Sequence, residues 1–212
     1  MDRPLPPIIH EDERLIVLDK PSGLLSVPGI GPEKADCLAA RVAAAFPEQE
    51  PRIVHRLDRD TSGVIVMAFD AEAHRELSRQ FQDRQVSKRY IAIVAGRIAE
   101  DEGVIDLPIR KDLDDPPRQI IDHVHGRRAI TEYRVVERFD DRTRLKLKLI
   151  TGRSHQIRLH LKVLGHPVLG DDLYAPPEIR AMADRLLLHA ASLTIIHPST
   201  AELRTYEAVC PF

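Results

Sequence analysis

The chain has 212 residues, 43% hydrophobic and 30% charged, which is enough apolar material to bury a core in one large domain or two small lobes. A formal net charge of −2 excludes a uniformly basic nucleic-acid binder, and with no Trp and 4% aromatics any base stacking falls to a few Tyr, Phe, His or Arg side chains. Cys37 and Cys210 make neither a CxxC pair nor a metal-ligand spacing, the N-terminus lacks a signal-peptide apolar stretch, and no apolar run reaches the ~20 residues that cross a bilayer; reduced thiols and a cytoplasmic protein are expected.

Residues 1–14 read as an N-terminal arm, loosest over Met1–Pro7, ahead of a single domain over 15–212. Leu15–Leu18 is a short apolar run that ends at the turn signal Lys20-Pro21-Ser22-Gly23. Leu24, Leu25 and Val27 follow, ahead of Pro28-Gly29, so a hairpin or strand–turn–strand is expected. Asp36–Phe46 reads as a short helix. Ile53–Phe69 reads as strand, loop and strand, the second strand being the unbroken apolar run Val64–Ala68, buried on both faces. Asp70 caps the next helix, whose Ala73, Leu77 and Phe81 repeat at i, i+4, i+8. Lys88–Val94 returns as a strand.

From Glu100 to Asp122 there are 8 acidic and 3 basic residues, a net of 3 − 8 = −5; with Pro116-Pro117, residues 100–125 read as an exposed, loop-rich excursion. From Arg127 to Lys162 the balance reverses, with 11 Lys/Arg against 4 Asp/Glu, a net of 11 − 4 = +7. Such segregation fits a polyanion partner, and equally a solvated surface. Ala129–Phe139 reads as a strand. In Arg142–Ile150, Arg142, Arg144, Lys146 and Lys148 alternate with Thr143, Leu145, Leu147 and Leu149, the period of a half-buried strand with a cationic outer face. Ser154 is the expected cap of a helix to about Leu164, with His155, Arg158 and Lys162 on one side and Ile157, Leu161 and Leu164 on the other; Leu159 intrudes on the polar side, which is therefore partly covered. Leu186–Ile196 and Leu203–Val209 read as strands. Many strands with few helices predict an α+β fold with a mixed, largely antiparallel sheet and flanking helices.

Two stretches carry chemistry. In Val54-His55-Arg56-Leu57-Asp58-Arg59-Asp60-Thr61-Ser62-Gly63, a polar loop joins two apolar strands and presents Asp58 between Arg56 and Arg59. Loops on rigid strands commonly hold catalytic groups, but the same residues also suit a turn whose carboxylates bond backbone amides. Asp58 with Asp60 admits a two-carboxylate glycosidase, although a two-residue spacing on a loop fixes no separation between them. In Ile150-Thr151-Gly152-Arg153-Ser154-His155-Gln156-Ile157-Arg158-Leu159-His160, a Gly turn feeds a helix N-terminus with fixed positive charge, suited to a phosphate or a carboxylate. His155 and His160 lie about 140° apart on a helix and make no metal pair. His123 and His125 read as surface residues.

The string HRLDRDTSG resembles the HRLDxxTSG signature of RluA-type pseudouridine synthases, and ITGRSHQIRLH resembles their TGRxHQIRxH motif. LDKPSGLLSVPG is similar to their KPxG segment, Lys88-Arg89-Tyr90 to their Lys-x-Tyr motif, and LGHPVLGDDLYA and LLLHA to their C-terminal blocks. The likeness runs from about Leu15 to about Tyr206 in family order, strongest to the short dual-specificity members that act on 23S rRNA and tRNA anticodon stem-loops. It leaves no room before Leu15 for the RNA-binding S4 domain of many relatives. It departs at Ala208-Val209-Cys210-Pro211, where the family has Ala-Pro. The resemblance implies a catalytic carboxylate at Asp58, a base-stacking ring at Tyr90, a cation at Arg158 that pairs with the carboxylate, and an arginine at Arg56 that fills the gap left by the extruded uridine. Arg59 and Asp60 occupy variable positions.

The implied reaction breaks the N1–C1′ bond of a flipped uridine and rejoins uracil through C5. Asp58 would either attack C1′ or take the C2′ proton, and the sequence favours neither route. No metal or cofactor is expected, no membrane is involved, and a monomer is the default. Two other functions remain open: an RNA-binding protein without chemistry, and a nucleoside or glycoside hydrolase that would release free uracil.

Overall fold

The computed structural model describes residues 4–212. In chain order it has β1 (Ile8–Glu11), β2 (Leu15–Lys20), α1 (Leu38–Ala45), β3 (Arg52–Ile53), β4 (Ser62–Ala68), α2 (Ala71–Gln82), β5 (Ser87–Ala95), β6 (Glu102–Asp106), β7 (Ile109–Lys111), β8 (Gln119–Ile121), β9 (Ile130–Arg138), β10 (Arg142–Leu149), α3 (Gln156–Val163), α4 (Pro177–Arg180), β11 (Leu188–Ile196) and β12 (Leu203–Glu207). The fold is α+β, with mixed, largely antiparallel strand pairing and few helices, as the sequence pattern predicts. Two compact units share the chain: residues 1–88 with 190–211, and residues 89–189 with 212. The chain passes between them within β5 and again within β11.

In the first unit β4 is buried at every residue, the outcome expected of its continuous apolar run. It pairs antiparallel with β2, from Leu15 opposite Ala68 to Lys20 opposite Gly63, and β3 pairs with Met67 and Ala68 at its C-terminal end. Gly63 is obligatory: its φ is +111° and a Cβ there would drive into the backbone of Ala190 on β11. The Asp70 carboxylate accepts from the Glu72 and Ala73 amides at 2.8 and 2.9 Å, so α2 starts where the sequence places it. Ala73 and Leu77 are fully buried against Val64, Val66, Leu193 and Ile195, and Phe81 packs beside them. Each such branched side chain contributes about 1.5–3 kcal/mol by leaving water. Gln80 fastens α2 to the end of β11 through Nε2 to Ile196 O (2.8 Å) and Ile196 N to Oε1 (2.9 Å).

Three local expectations change in this unit. Ile8–Glu11, read as part of the N-terminal arm, is a strand paired with β2; Met1–Arg3, in the loose stretch, lie outside the described residues. Leu24–Val27 forms no strand beyond an isolated bridge from Leu25 to Cys37, because the Leu24 carbonyl is bound by Lys20 instead. The first helix starts at Leu38, capped by the Cys37 sulfur, while Asp36 holds Arg41 at 2.9 and 2.8 Å.

In the second unit the strands run β5–β10–β9–β6, each pair antiparallel. The β10 alternation is realised: Thr143, Leu145, Leu147 and Leu149 are buried, and the cationic positions face the other way. Arg142 pairs with Asp141 and Lys148 with Glu132, so part of the cationic stripe is neutralised within the protein. Residues 100–125 differ from expectation. They contain β6, β7 and β8, short strands whose exposure and acidic, Pro-containing sequence hide them from a periodicity reading. His123 and His125 are exposed, as expected.

Helix α3 begins one residue later than Ser154 allows. Its N-cap is His155, in the left-handed region at φ 53°, without a side-chain cap. The Gln156 side chain replaces the expected serine cap: Oε1 accepts from Arg153 N (3.0 Å) and Thr151 Oγ1 (2.8 Å), while Nε2 donates to Ile130 O and Thr131 Oγ1. Leu159 is buried with Ile109, Ala129 and Tyr174, which explains an apolar residue on the helix's polar side.

Candidate active site

The turn that carries Asp58 is held from below by the Lys20–Ser26 segment. Lys20 is fully buried, yet its ammonium is satisfied by three carbonyls: Pro21 (2.9 Å), Leu24 (2.6 Å) and Arg59 (2.8 Å). Gly23 N also donates to Arg59 O, at 3.0 Å. Ser26 Oγ donates to Leu57 O and accepts from Leu57 N, and Ser22 Oγ donates to Asp60 O. The backbone on each side of Asp58 is thereby fixed, and Thr61 N closes the turn onto Asp58 O. Leu57 is buried, Asp58 half-buried and Arg56 exposed, so the turn anchors by its apolar residue and presents its acid and its arginine. Asp60 is bound by Arg59, Nε to Oδ1 at 3.0 Å and Nη2 to Oδ2 at 2.9 Å, which engages the second carboxylate in a local ion pair.

His55 attaches the turn to the sheet. Beyond Ile53 the chain leaves β4, and the amide of Val66 donates to His55 Nε2 at 3.2 Å instead of to a strand. The ring stacks on Phe81 of α2 at 4.5 Å. Accepting at Nε2 requires a neutral ring, and enclosure, reinforced by the nearby Lys88 charge, pushes the His55 pKa down to about 3. His55 is thus a neutral structural support immediately before Arg56.

Tyr90 and Arg158 belong to the second unit. Tyr90 is a buried residue of β5 opposite Leu147 of β10. Arg158 is 2% exposed on α3. Asp171, fully buried, receives Arg158 Nε on Oδ2 (2.8 Å) and Nη2 on Oδ1 (2.5 Å), and Nη2 also reaches Asp172 Oδ1 (2.9 Å). Asp171 Oδ1 also accepts the Leu173 and Tyr174 amides, both at 2.9 Å, so this carboxylate is itself anchored. The Tyr174 ring lies 5.3 Å from the guanidinium carbon. Its hydroxyl accepts from Gln119 N and meets His155 Nδ1, each at 2.8 Å, which ties the start of α3 to β8. His160, fully buried, bonds Thr131 Oγ1 and Leu107 O, and burial pushes its pKa down. Of the TGRxHQIRxH string, Gln156 and His160 are therefore structural, and Arg158 is the buried cation that the rest position.

Sequence reasoning named Asp58, Arg56, Tyr90 and Arg158 but missed the residues that hold them. Lys20 and Ser22 stand in the KPxG segment, and Asp171 and Tyr174 in LGHPVLGDDLYA, yet nothing in their spacing states what they bind. Long-range folding also assembles His10, Asp12 and His197. Asp12 Oδ2 meets His10 Nε2 at 2.9 Å and His197 Nε2 at 2.8 Å. The Ser199 and Thr200 amides point at His197 Nδ1, which keeps the proton on Nε2 and makes the group a hydrogen-bonded clasp rather than a set of open lone pairs.

Residues 14–162 match the family model for RNA pseudouridylate synthase. The chain belongs to that family. It is 53% identical over 192 residues to the dual-specificity RNA pseudouridine synthase RluA of Yersinia pestis, covering 90% of this chain and 92% of that protein. It is 50% identical over 206 residues to the protein of the same name from Escherichia coli K12, covering 97% and 93%. Among solved structures, human RNA pseudouridylate synthase domain containing 1 superposes with a TM-score of 0.81 at 28% identity, covering 97% of this chain and 84% of that one. This pseudouridine synthase therefore isomerises uridine to pseudouridine in RNA. No described helix is long and apolar enough to cross a membrane.

Proposed function

We propose that this pseudouridine synthase modifies uridines in both 23S rRNA and tRNA anticodon stem-loops, with Asp58 as the catalytic carboxylate. The substrate range follows the motif resemblance, and relatives about half identical over nearly the whole chain are named dual-specificity RNA enzymes. The role of Asp58 is supported best by one observation: the carboxylate stands half-buried on a turn whose flanking carbonyls are bound by Lys20, Ser22, Ser26 and Gly23. A group fixed in this way loses little orientational freedom when the sugar arrives.

Each further role follows from residue chemistry. Extruding a uridine from its stack costs a few kcal/mol, and exposed Arg56 offers a flat cation to fill the gap. Tyr90 gives the uracil an aromatic face, worth roughly 1–3 kcal/mol. Arg158 supplies the buried cation that favours an ionised carboxylate during glycosidic cleavage, and Asp171 and Asp172 hold its Nε and Nη2 edge. Residues 15–212 serve as the catalytic domain, in the cytoplasm, as a monomer and without a metal. The Arg59–Asp60 pair disfavours hydrolysis by two carboxylates, since the second acid is already engaged.

Transcribed anticodon stem-loops and 23S rRNA hairpins incubated with the enzyme should gain pseudouridine without release of uracil. Free uracil would establish the hydrolase, and product on only one RNA class would remove dual specificity. Mapping pseudouridine in a strain that lacks the gene identifies the positions.

A further inference from the structure

The hairpin β7–β8, in the acidic excursion of the second unit, has no part in the roles assigned above. Its strands nevertheless meet the turn that holds Arg158. Ile109 and Ile121 stand opposite each other in register and share one apolar cluster with Leu159 of α3, Leu173 and Tyr174. Hydrogen bonds fix the same contact. Arg118 Nε donates to Leu173 O and Gln119 N to the Tyr174 hydroxyl, both at 2.8 Å, so two consecutive hairpin residues grip two consecutive residues of the turn. Tyr174 in turn reaches Arg158 by two routes. Its amide donates at 2.9 Å to Asp171 Oδ1, the oxygen that receives Arg158 Nη2, and its ring lies 5.3 Å from the guanidinium carbon. The carboxylates of Asp171 and Asp172 fix the Nε and Nη2 edge of that guanidinium. An aromatic face beside a flat cation sets the remaining freedom, its tilt about that edge. The ring can do so because it is itself held at its far end, where the hydroxyl bonds Gln119 N and His155 Nδ1 at 2.8 Å each.

We propose that the hairpin β7–β8 is a positioning element for the isomerisation, setting the tilt of the Arg158 guanidinium through Tyr174, given the role proposed above for Arg158. Tyr174 and Arg118 are then positioning residues: neither needs to touch the uridine, and both act through the cation. A shift of about 1 Å in such a group can cost on the order of a hundredfold in rate, so a strut of this kind is felt in the chemical step before it is felt in binding.

The test measures single-turnover pseudouridine formation by the full chain at saturating enzyme, on an anticodon stem-loop that the unaltered enzyme modifies, at a temperature where each variant is folded. Tyr174→Phe keeps the ring and loses the hydroxyl, and should slow turnover by about tenfold; Tyr174→Leu loses the ring as well and should slow it by about a hundredfold. Arg118→Met releases Leu173 O at the half-exposed edge of the hairpin and should slow turnover by roughly fivefold. RNA affinity should stay within about twofold in all three, a split between rate and binding that a general loss of structure does not give. In an Arg158→Lys background the flat cation is gone, so Tyr174→Leu should slow the reaction by no more than about twofold further. Normal saturated rates in Tyr174→Phe and Arg118→Met, weakened RNA binding with an unchanged saturated rate, or fully additive slowing with Arg158→Lys would each overturn the proposal. Normal turnover by Arg158→Lys alone would instead remove the role of Arg158, and the strut with it.

Discussion

Replacing Lys20 by Met tests whether the turn around Asp58 is held in place by a buried cation. The substitution keeps an unbranched apolar stem of similar length and removes only the ammonium. Three carbonyls lose a donor: those of Pro21, Leu24 and Arg59, with Arg59 O retaining Gly23 N. Each charge-assisted bond is worth about 1.5–3 kcal/mol, and recovered desolvation of the ammonium offsets a large part of the sum. The expected net loss is about 3 kcal/mol, a fall in Tm of roughly 6–12 °C for a chain of this size. Because Arg59 O adjoins Asp58, turnover at a temperature where the variant is fully folded should fall by more than tenfold, while RNA affinity changes little. The assays are denaturant unfolding, followed by single-turnover pseudouridine formation at saturating enzyme. A Lys20→Met protein with normal Tm and normal turnover would refute the claim that this lysine positions the turn.

Gly63→Ala should be among the most damaging single-methyl changes, at about 3 kcal/mol or more in chemical denaturation, since the new Cβ meets the Ala190 backbone at a φ of +111°. His55 is neutral in the fold with its pKa lowered to about 3, whereas the unfolded ring takes a proton near 6.5, so its contribution is full above pH 6.5 and is lost as pH falls from there towards 3. Stability profiles should therefore be steeper between pH 6.5 and 4 for the unaltered protein than for His55→Gln, and equal slopes would remove that assignment. Asp171→Asn takes the two-oxygen carboxylate contact from buried Arg158 and should cost about 3–5 kcal/mol in urea unfolding, more than Asp172→Asn at the half-exposed neighbour.

The sequence made the fold legible where local pattern and burial agree. Val64–Ala68 shows its two-sided burial as an unbroken apolar run, β10 its one-sided burial as alternation, and Asp70 its cap as an acid ahead of an apolar stripe. Legibility failed where long-range partners decide. β6, β7 and β8 are short and lie in an acidic stretch, with Val104 exposed, so no periodicity marks them. Ser154 offered a serine cap, but Gln156 reaches back to Arg153 N and moves the cap to His155. Asp58, Arg56, Tyr90 and Arg158 are proposed for the site because whole motifs resemble those of a known family. Lys20 was not legible, because a lysine after Leu15–Asp19 looks like the solvated end of a strand until its three carbonyls are seen. Asp171 was equally hidden, its partner Arg158 being thirteen residues earlier in the chain.

The most direct measurement is pseudouridine formation by Asp58→Asn under single-turnover conditions on an anticodon stem-loop. The amide keeps the side chain's shape but can neither attack C1′ nor take the C2′ proton. Product should fall to background while Tm and RNA affinity stay close to those of the unaltered enzyme; near-normal product would show that the chemistry belongs to another residue.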